Sequence, residues 1–150
     1  ATDMGVSLET CAKACEKLVP VEHRLEVIRL NDCVVIDDSY NSNPDGAANA
    51  LEVLGCFDGM KVIVTPGMVE LGGLENDANR KLGALIAGTC DLAVLIGSRA
   101  KTIKAGAIEA GMPETNIETA MSLDAAKKIL ASLPCGCAIL FENDLPDNYV

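Results

Sequence analysis

Tryptophan is absent from this chain, and its 150 residues include only two Phe, two Tyr and a single His. The core must therefore be built from Ala, Val, Ile and Leu, which suits helices packed on a buried parallel sheet. One imidazole, at His23, leaves no Ser/His/Asp or Cys/His constellation to assign, because nothing in the sequence brings it to a nucleophile. Basic residues are scarce as well. Twelve Lys and Arg against 22 Asp and Glu give a formal charge of -10, so a phosphate backbone is repelled and no nucleic acid partner is expected. No apolar run approaches the roughly 20 residues of a membrane span, and the first residues have neither the basic start nor the apolar stretch of a signal peptide. The expectation is a cytoplasmic chain with no membrane partner. Also missing is any G-x-x-x-x-G-K-S/T stretch, and Gly97-Ser98-Arg99 is no dinucleotide fingerprint, so nothing here wraps a triphosphate alone.

Cysteine is the one residue in excess, with seven copies at Cys11, Cys15, Cys33, Cys56, Cys90, Cys135 and Cys137. The number is odd and the spacing scattered. The nearest pair, Cys135-Gly136-Cys137, is not the C-x-x-C knuckle of a zinc site, and the only His lies far away. Most of these cysteines sit among aliphatic residues, which predicts reduced, mostly buried thiols that pack as small apolar side chains and react slowly.

The length is one domain's worth. Ser7 is a good N-cap, and Leu8, Cys11, Cys15 and Leu18 recur at helical spacing until Pro20, predicting a helix over 7–18. Leu25–Leu30 and Cys33–Tyr40 are β-rich runs separated by Asn31-Asp32 alone, too short for a parallel crossover, so they form an antiparallel hairpin. Asn43-Pro44-Asp45 starts a helix whose buried stripe is Ala47, Ala50, Leu51 and Leu54. Strand and helix then alternate: strand 61–65, helix 75–87, strand 92–97, helix 100–110, a short strand 117–120, helix 122–133 and strand 138–141. In that last helix Leu123, Ala126, Leu130 and Leu133 share one face. The pattern is that of an α/β, doubly wound, mostly parallel sheet with one antiparallel edge strand from the N-terminal hairpin.

In such a sheet ligands bind beyond the carboxyl ends of the strands. The second hairpin strand ends in Asp37-Asp38-Ser39-Tyr40-Asn41-Ser42-Asn43 and runs directly into a helix N-terminus, a place able to hold ribose hydroxyls, an adenine edge or a metal-bound phosphate. The plainer alternative is a polar turn in which Asn43 caps the helix and the Asp pair is solvated. Thr65-Pro66-Gly67-Met68 and Glu70-Leu71-Gly72-Gly73 form a second, weaker candidate, and Arg24 at the hairpin entrance is placed to meet a phosphate.

Three segments carry a resemblance. Pro20-Val21-Glu22-His23-Arg24-Leu25-Glu26-Val27, then Ile36-Asp37-Asp38-Ser39-Tyr40-Asn41-Ser42-Asn43-Pro44, then Gly67-Met68-Val69-Glu70-Leu71-Gly72 resemble, in order and spacing, the C-terminal domain of the Mur ligases, over about residues 5–142. The Asp-Asp-Ser-Tyr-Asn-Ser-Asn-Pro block is the most specific part. The resemblance implies a Rossmann-like C-terminal domain over 20–150, preceded by the tail helix, 1–19, of a central P-loop ATPase domain. It further implies an amide ligation of peptidoglycan precursor synthesis in which ATP phosphorylates the carboxylate of UDP-MurNAc-tripeptide and the amine of D-Ala-D-Ala attacks the acyl phosphate. By the same resemblance Arg24 serves the phosphates of ATP, Asp38 its ribose hydroxyls, and Tyr40, Asn41 and Asn43 the nucleoside. Met68 and Glu70 face the amino substrate, no residue here is catalytic, and ATP and Mg are held mainly by the central domain. The chain alone is then expected to be inactive.

The sequence departs from the family in three places. Gly67 stands where an Asp commonly precedes the Met, Asn79 where a His is usual, and Glu142-Asn143-Asp144-Leu145-Pro146-Asp147-Asn148-Tyr149 where a basic Lys-Gly-Ser-Arg segment is usual. A sister Mur-type ligase with another amino substrate is the alternative these changes keep open. A non-catalytic nucleotide-binding module is another. A receiver-like signalling domain needs a phosphorylatable Asp ending the third strand and a Lys ending the fifth, whereas the strand at 61–65 ends in Thr-Pro-Gly and Phe141 is followed by Glu.

Overall fold

Residues 2–19 and 21–144 are described by the computed structural model; Pro20 and the Leu145–Tyr149 part of the acidic ending lie outside them. The elements are α1 (Leu8–Cys15), β1 (Glu26–Leu30), β2 (Cys33–Asp38), α2 (Pro44–Gly55), β3 (Lys61–Thr65), α3 (Glu75–Thr89), β4 (Leu92–Ile96), α4 (Ala100–Glu109), β5 (Ile117–Ala120), α5 (Leu123–Leu130) and β6 (Ala138–Glu142), with short 3-10 turns at Thr2–Met4, Gly72–Leu74 and Glu114–Asn116. They build one six-stranded sheet in the order β1-β2-β6-β3-β4-β5. Only β1 and β2 pair antiparallel; β2–β6, β6–β3, β3–β4 and β4–β5 are all parallel.

Side chains alternate across the strands and fill two cores. Ile36, Ile63, Ala93, Leu95 and Leu140 face α2, α3 and α4, while Val62, Val64, Val94, Ile96 and Ile139 face α5. Burying one such Leu or Ile stabilises the fold by roughly 1.5–3 kcal/mol before chain entropy is subtracted. The stripe expected for α2 is the one buried: Ala47, Ala50, Leu51 and Leu54. Helices α3 and α4 meet backbone to backbone, since a Cβ on Gly83 would stand 2.0 Å from the Ile103 carbonyl oxygen and one on Gly106 would stand 2.0 Å from that of Arg80.

Element ends differ from the sequence expectation where local hydrogen bonds redirect the chain. β2 stops at Asp38 rather than Tyr40 because Asp37 takes the Ser39 N–H and hydroxyl at 3.1 and 2.6 Å, turning the backbone out of the ladder. α1 and α5 close early, at Cys15 and Leu130, as their last turns tighten into bonds three residues apart, such as Leu18 N–H to Cys15 O and Leu133 N–H to Leu130 O. The expectation of mostly buried cysteines needs correcting. Cys90 and Cys137 are buried, Cys11 and Cys33 half-buried, and Cys15, Cys56 and Cys135 exposed. An aliphatic neighbourhood in sequence misled here, because α1 buries none of its residues and Cys135 lies in the turn before β6.

Candidate functional site

Antiparallel pairing of β1 with β2 brings the start of the hairpin to the carboxyl end of the parallel strands, with Glu26 opposite Asp37. The approach segment turns sharply there, His23 and Leu25 having φ of 61° and 48°. It is tied down by the Leu25 N–H donating to Asp38 Oδ1 at 3.1 Å and the Tyr40 N–H donating to the His23 carbonyl at 3.2 Å. This folding stacks the Arg24 guanidinium on the Tyr40 ring, 4.1 Å from its centroid. Both are exposed and face solvent at the strand ends.

The two carboxylates differ. Asp37 is half-buried; partial burial raises its pKa, but the Ser39 hydroxyl and N–H and the His23 imidazole, 2.8 Å away, outweigh that and hold it below the usual range. Asp38 is pushed above the usual range by burial, with Asp37 adding repulsion and Leu25 N–H and Arg24 opposing. Asn41 accepts the Ser42 N–H at 2.8 Å, and Asn43 caps α2 by accepting the Gly46 N–H at 2.9 Å. The Asn43 carbonyl oxygen is therefore committed to the helix, as the plainer reading of this turn required.

Beneath these loops lies a polar network that sequence reasoning missed. Glu142, at the end of the central strand β6 and 1% exposed, accepts the hydroxyl hydrogens of Ser42 and, at 2.8 Å, of Thr65. The Thr65 hydroxyl in turn accepts the Gly67 N–H at 3.0 Å. Asn143 donates its side-chain amide to the Gly67 carbonyl at 2.6 Å and its backbone N–H to the Asp38 carbonyl at 3.1 Å. Asn79 brackets Met68, accepting its N–H at 2.8 Å and donating to its carbonyl at 2.9 Å. Burial raises the Glu142 pKa, the two hydroxyls oppose that, and Asp38 beside it in register adds to the rise.

Gly67, Asn79 and the Glu142-Asn143 start of the acidic ending, all departures from the family pattern, thus meet in one place. Gly67 has φ +83°, and a Cβ there would stand 2.4 Å from the Asn79 side-chain oxygen, so the turn that Asn79 and Asn143 hold has no room for an Asp. The only sequence signal for this network was a charge directly after the apolar run Ala138–Phe141. Met68 is 1% exposed and packs in the core, where with Pro44, Ala47, Leu71, Leu74 and Leu85 it lines a cavity of about 230 Å³ between α2 and α3. Glu70 is exposed, at φ 62°. The structure brings Arg24, Asp38, Tyr40, Asn41 and Asn43 together around one strand end, and leaves Met68 and Glu70 on the neighbouring turn.

A nucleotide fits the first group: an exposed guanidinium with an aromatic face, a carboxylate at a strand end and a capped helix N-terminus are complementary to phosphate, base and ribose. Among the described residues no three His, Cys, Asp or Glu side chains converge on a common point. No helix among the described residues is long and apolar enough to cross a membrane.

The sequence matches the family described as Mur ligase, glutamate ligase domain over residues 23–141. It is 32% identical over 85 residues to the UDP-N-acetylmuramoyl-tripeptide–D-alanyl-D-alanine ligase of Bacillus subtilis, a match covering 55% of this chain and 19% of that enzyme. It is 45% identical over 53 residues to the ligase of the same name from Buchnera aphidicola, 35% of this chain and 12% of the relative. The fold superposes on crystal structure II of MurF from Acinetobacter baumannii with a TM-score of 0.75 and 28% identity, covering 94% of this chain and 32% of that one. MurF from Thermotoga maritima, solved with ADP, has the same fold at a TM-score of 0.73 and 22% identity, covering 95% of this chain and 32% of that one. The chain spans 32% of the solved ligases' length, and the matched part 19% of the first sequence relative. With four-fifths of its length inside the family match, from the hairpin entrance to the end of the central strand, this chain belongs to the Mur ligase family as its glutamate ligase domain.

Proposed function

We propose that this chain is the C-terminal domain of an ATP-dependent ligase of peptidoglycan precursor synthesis that joins D-Ala-D-Ala to UDP-MurNAc-tripeptide in the cytoplasm. The observation that carries the proposal is the Arg24, Tyr40 and Asp38 cluster, standing free at the carboxyl ends of a sheet superposable on MurF. ATP bound there supplies the phosphoryl group that turns the tripeptide carboxylate into an acyl phosphate, whose phosphate the dipeptide amine displaces. Arg24 meets the phosphates as negative charge accumulates. Asp38 accepts ribose hydroxyls, and Tyr40 and Asn41 border the nucleoside, with Asn43 holding the helix N-terminus in place. Glu70, exposed beside this cluster, borders the amino substrate, and Met68 shapes that turn from beneath. Closure of this domain on the preceding ones excludes water, which would otherwise hydrolyse the acyl phosphate. Residues 1–19 are proposed as the tail of that preceding domain, in keeping with an α1 that buries nothing here. The triphosphate cradle and magnesium ligands belong to the same preceding domain, so the 150-residue chain by itself turns over no ATP.

A sister ligase is the second reading, favoured by Gly67 and Asn79 on the amino-substrate turn. A panel of amino substrates offered to the ligase carrying this domain separates the two. Acceptance of D-Ala-D-Ala well above single amino acids and diamino acids supports the first, and the reverse order moves the assignment to a sister enzyme. ATP turnover by the 150-residue chain above a buffer control overturns its proposed inactivity.

A further inference from the structure

Cys33 opens β2 and Cys137 directly precedes β6, and the parallel register that pairs Val34 with Ala138 sets the two cysteines side by side. The Val34 N–H donates to the Cys137 carbonyl at 2.9 Å, fixing that alignment. Their sulfurs are 2.9 Å apart. Paired strands run about 4.7–4.9 Å apart, inside the span of about 4.4–6.8 Å between Cα atoms that a disulfide requires. The two thiols are unequal in exposure, Cys137 being 2% exposed and Cys33 half-buried. Both border a cavity of about 450 Å³ lined also by Leu30, Leu130, Leu133, Pro134 and Ile139.

We propose that Cys33 and Cys137 form an oxidisable dithiol site whose reagent is a low-molecular-weight disulfide entering through this cavity. The Cys33 thiol gives its proton to water and its sulfur attacks one sulfur of the reagent, whose S–S bond breaks; one half leaves as a thiolate that takes a proton from water, and the other stays as a mixed disulfide on Cys33. Cys137 then gives its proton to water, its sulfur attacks that of Cys33, and the second thiolate leaves and is protonated by water in turn. Two protein thiols are oxidised to one disulfide, and the reagent is reduced to two thiols. The polarity of the pair agrees with these roles: the hydrogen bond shared with Cys137 lowers the Cys33 pKa, while burial raises that of Cys137 to about 11. Cys90, its pKa pushed up to about 12 by burial, has no such partner among the described residues.

The consequence is mechanical. Among the described residues, the β1–β2 hairpin, which carries Arg24 and Asp38 at its far end, joins the rest of the sheet through the β2–β6 ladder alone. A covalent link at the start of that ladder staples the hairpin to the central strand.

Oxidised glutathione added to the reduced native chain, followed by non-reducing peptide mapping, tests the proposal. The expected product is a Cys33–Cys137 link with a loss of about 2 Da, formed ahead of any modification of Cys11, Cys15 or Cys56. Cys137→Ala is expected to trap glutathione on Cys33, and Cys33→Ser to abolish the link. Amide exchange over 26–38 is expected to slow in the oxidised chain. Links formed through Cys135 with Cys137 left free, glutathione on surface cysteines alone, or unchanged exchange in the hairpin would overturn it.

Discussion

The Thr65 hydroxyl points its hydrogen at Glu142 across 2.8 Å while taking the Gly67 N–H on its other side, so a buried carboxylate at the end of β6 governs the turn after β3. Through Ser42 the same carboxylate holds the loop after β2. The two loops at the strand ends are thereby joined by one side chain, which makes them a single unit for any ligand lying across them.

Glu142 holds its proton more tightly in the folded chain than its ordinary value of 4.5, mainly through burial. A raised carboxyl pKa means the folded state binds more protons than the unfolded state between 4.5 and the folded value, so stability falls as pH rises through that window. Glu142→Gln lacks this titration. Urea midpoints of both proteins from pH 4 to 8 should show the wild type losing ground to the variant as pH rises, and parallel curves would refute the assignment. Glu142→Leu leaves the Ser42 hydroxyl without its buried partner and should cost about 1–3 kcal/mol at every pH.

The His23 imidazole, 2.8 Å from Asp37, has its pKa raised above 6.5, first by that hydrogen bond. Its contribution to stability is fully present below 6.5 and is lost as pH rises through the folded value. Asp37, with a lowered pKa, contributes above 3.8, and that part is lost as pH falls through its folded value. The pair therefore helps between these two limits. An NMR titration should place the His23 midpoint above 6.5, and Asp37→Asn should bring it down.

Two glycines of α3 predict opposite signs. Gly83→Ala drives a methyl into the backbone of α4, 2.0 Å from the Ile103 oxygen and 2.7 Å from the Ala107 nitrogen, and should destabilise by about 1–3 kcal/mol as the helices separate. Gly88→Ala meets nothing within 4 Å and should stabilise by up to about 1 kcal/mol through helix propensity. Thermal melts of both variants check the pair.

Local chemistry explains which parts of this molecule were readable beforehand. Asn43, Pro44 and Asp45 announce a helix start by their own cap, fixed φ and charge, and α2 begins there with the expected buried stripe. Strands alternating with helices announce the mostly parallel sheet, and the two-residue Asn31-Asp32 link announces its antiparallel edge. The place of β6 between β2 and β3 was not readable, because pairing between strands far apart leaves no local mark. The same holds for Glu142, whose partners Ser42 and Thr65 lie 100 and 77 residues away. Cys33 and Cys137 are 104 residues apart, and nothing in the sequence announces their contact.

The proposed nucleotide site is tested most sharply in the full ligase carrying this domain. Asp38 accepts the Leu25 N–H through Oδ1, and its other oxygen is the one proposed to take a ribose hydroxyl. Hydrogen bonds to a charged group are worth about 1.5–3 kcal/mol, so Asp38→Asn should raise the KM for ATP roughly tenfold or more with the fold retained. Arg24→Ala should act on turnover instead, because a guanidinium meeting phosphate oxygens is felt most as their charge grows. Tyr40→Leu removes the ring on which Arg24 rests, 4.1 Å away, and should reproduce part of the Arg24 defect, a contact of this kind being worth about 0.5–1 kcal/mol when exposed. Asp37 serves as the control, since its two oxygens already bind His23 and the Ser39 hydroxyl and N–H. Steady-state kinetics in which Asp37→Asn impairs ATP use while Asp38→Asn changes neither kcat nor KM would shift the site by one residue and remove Asp38 from it.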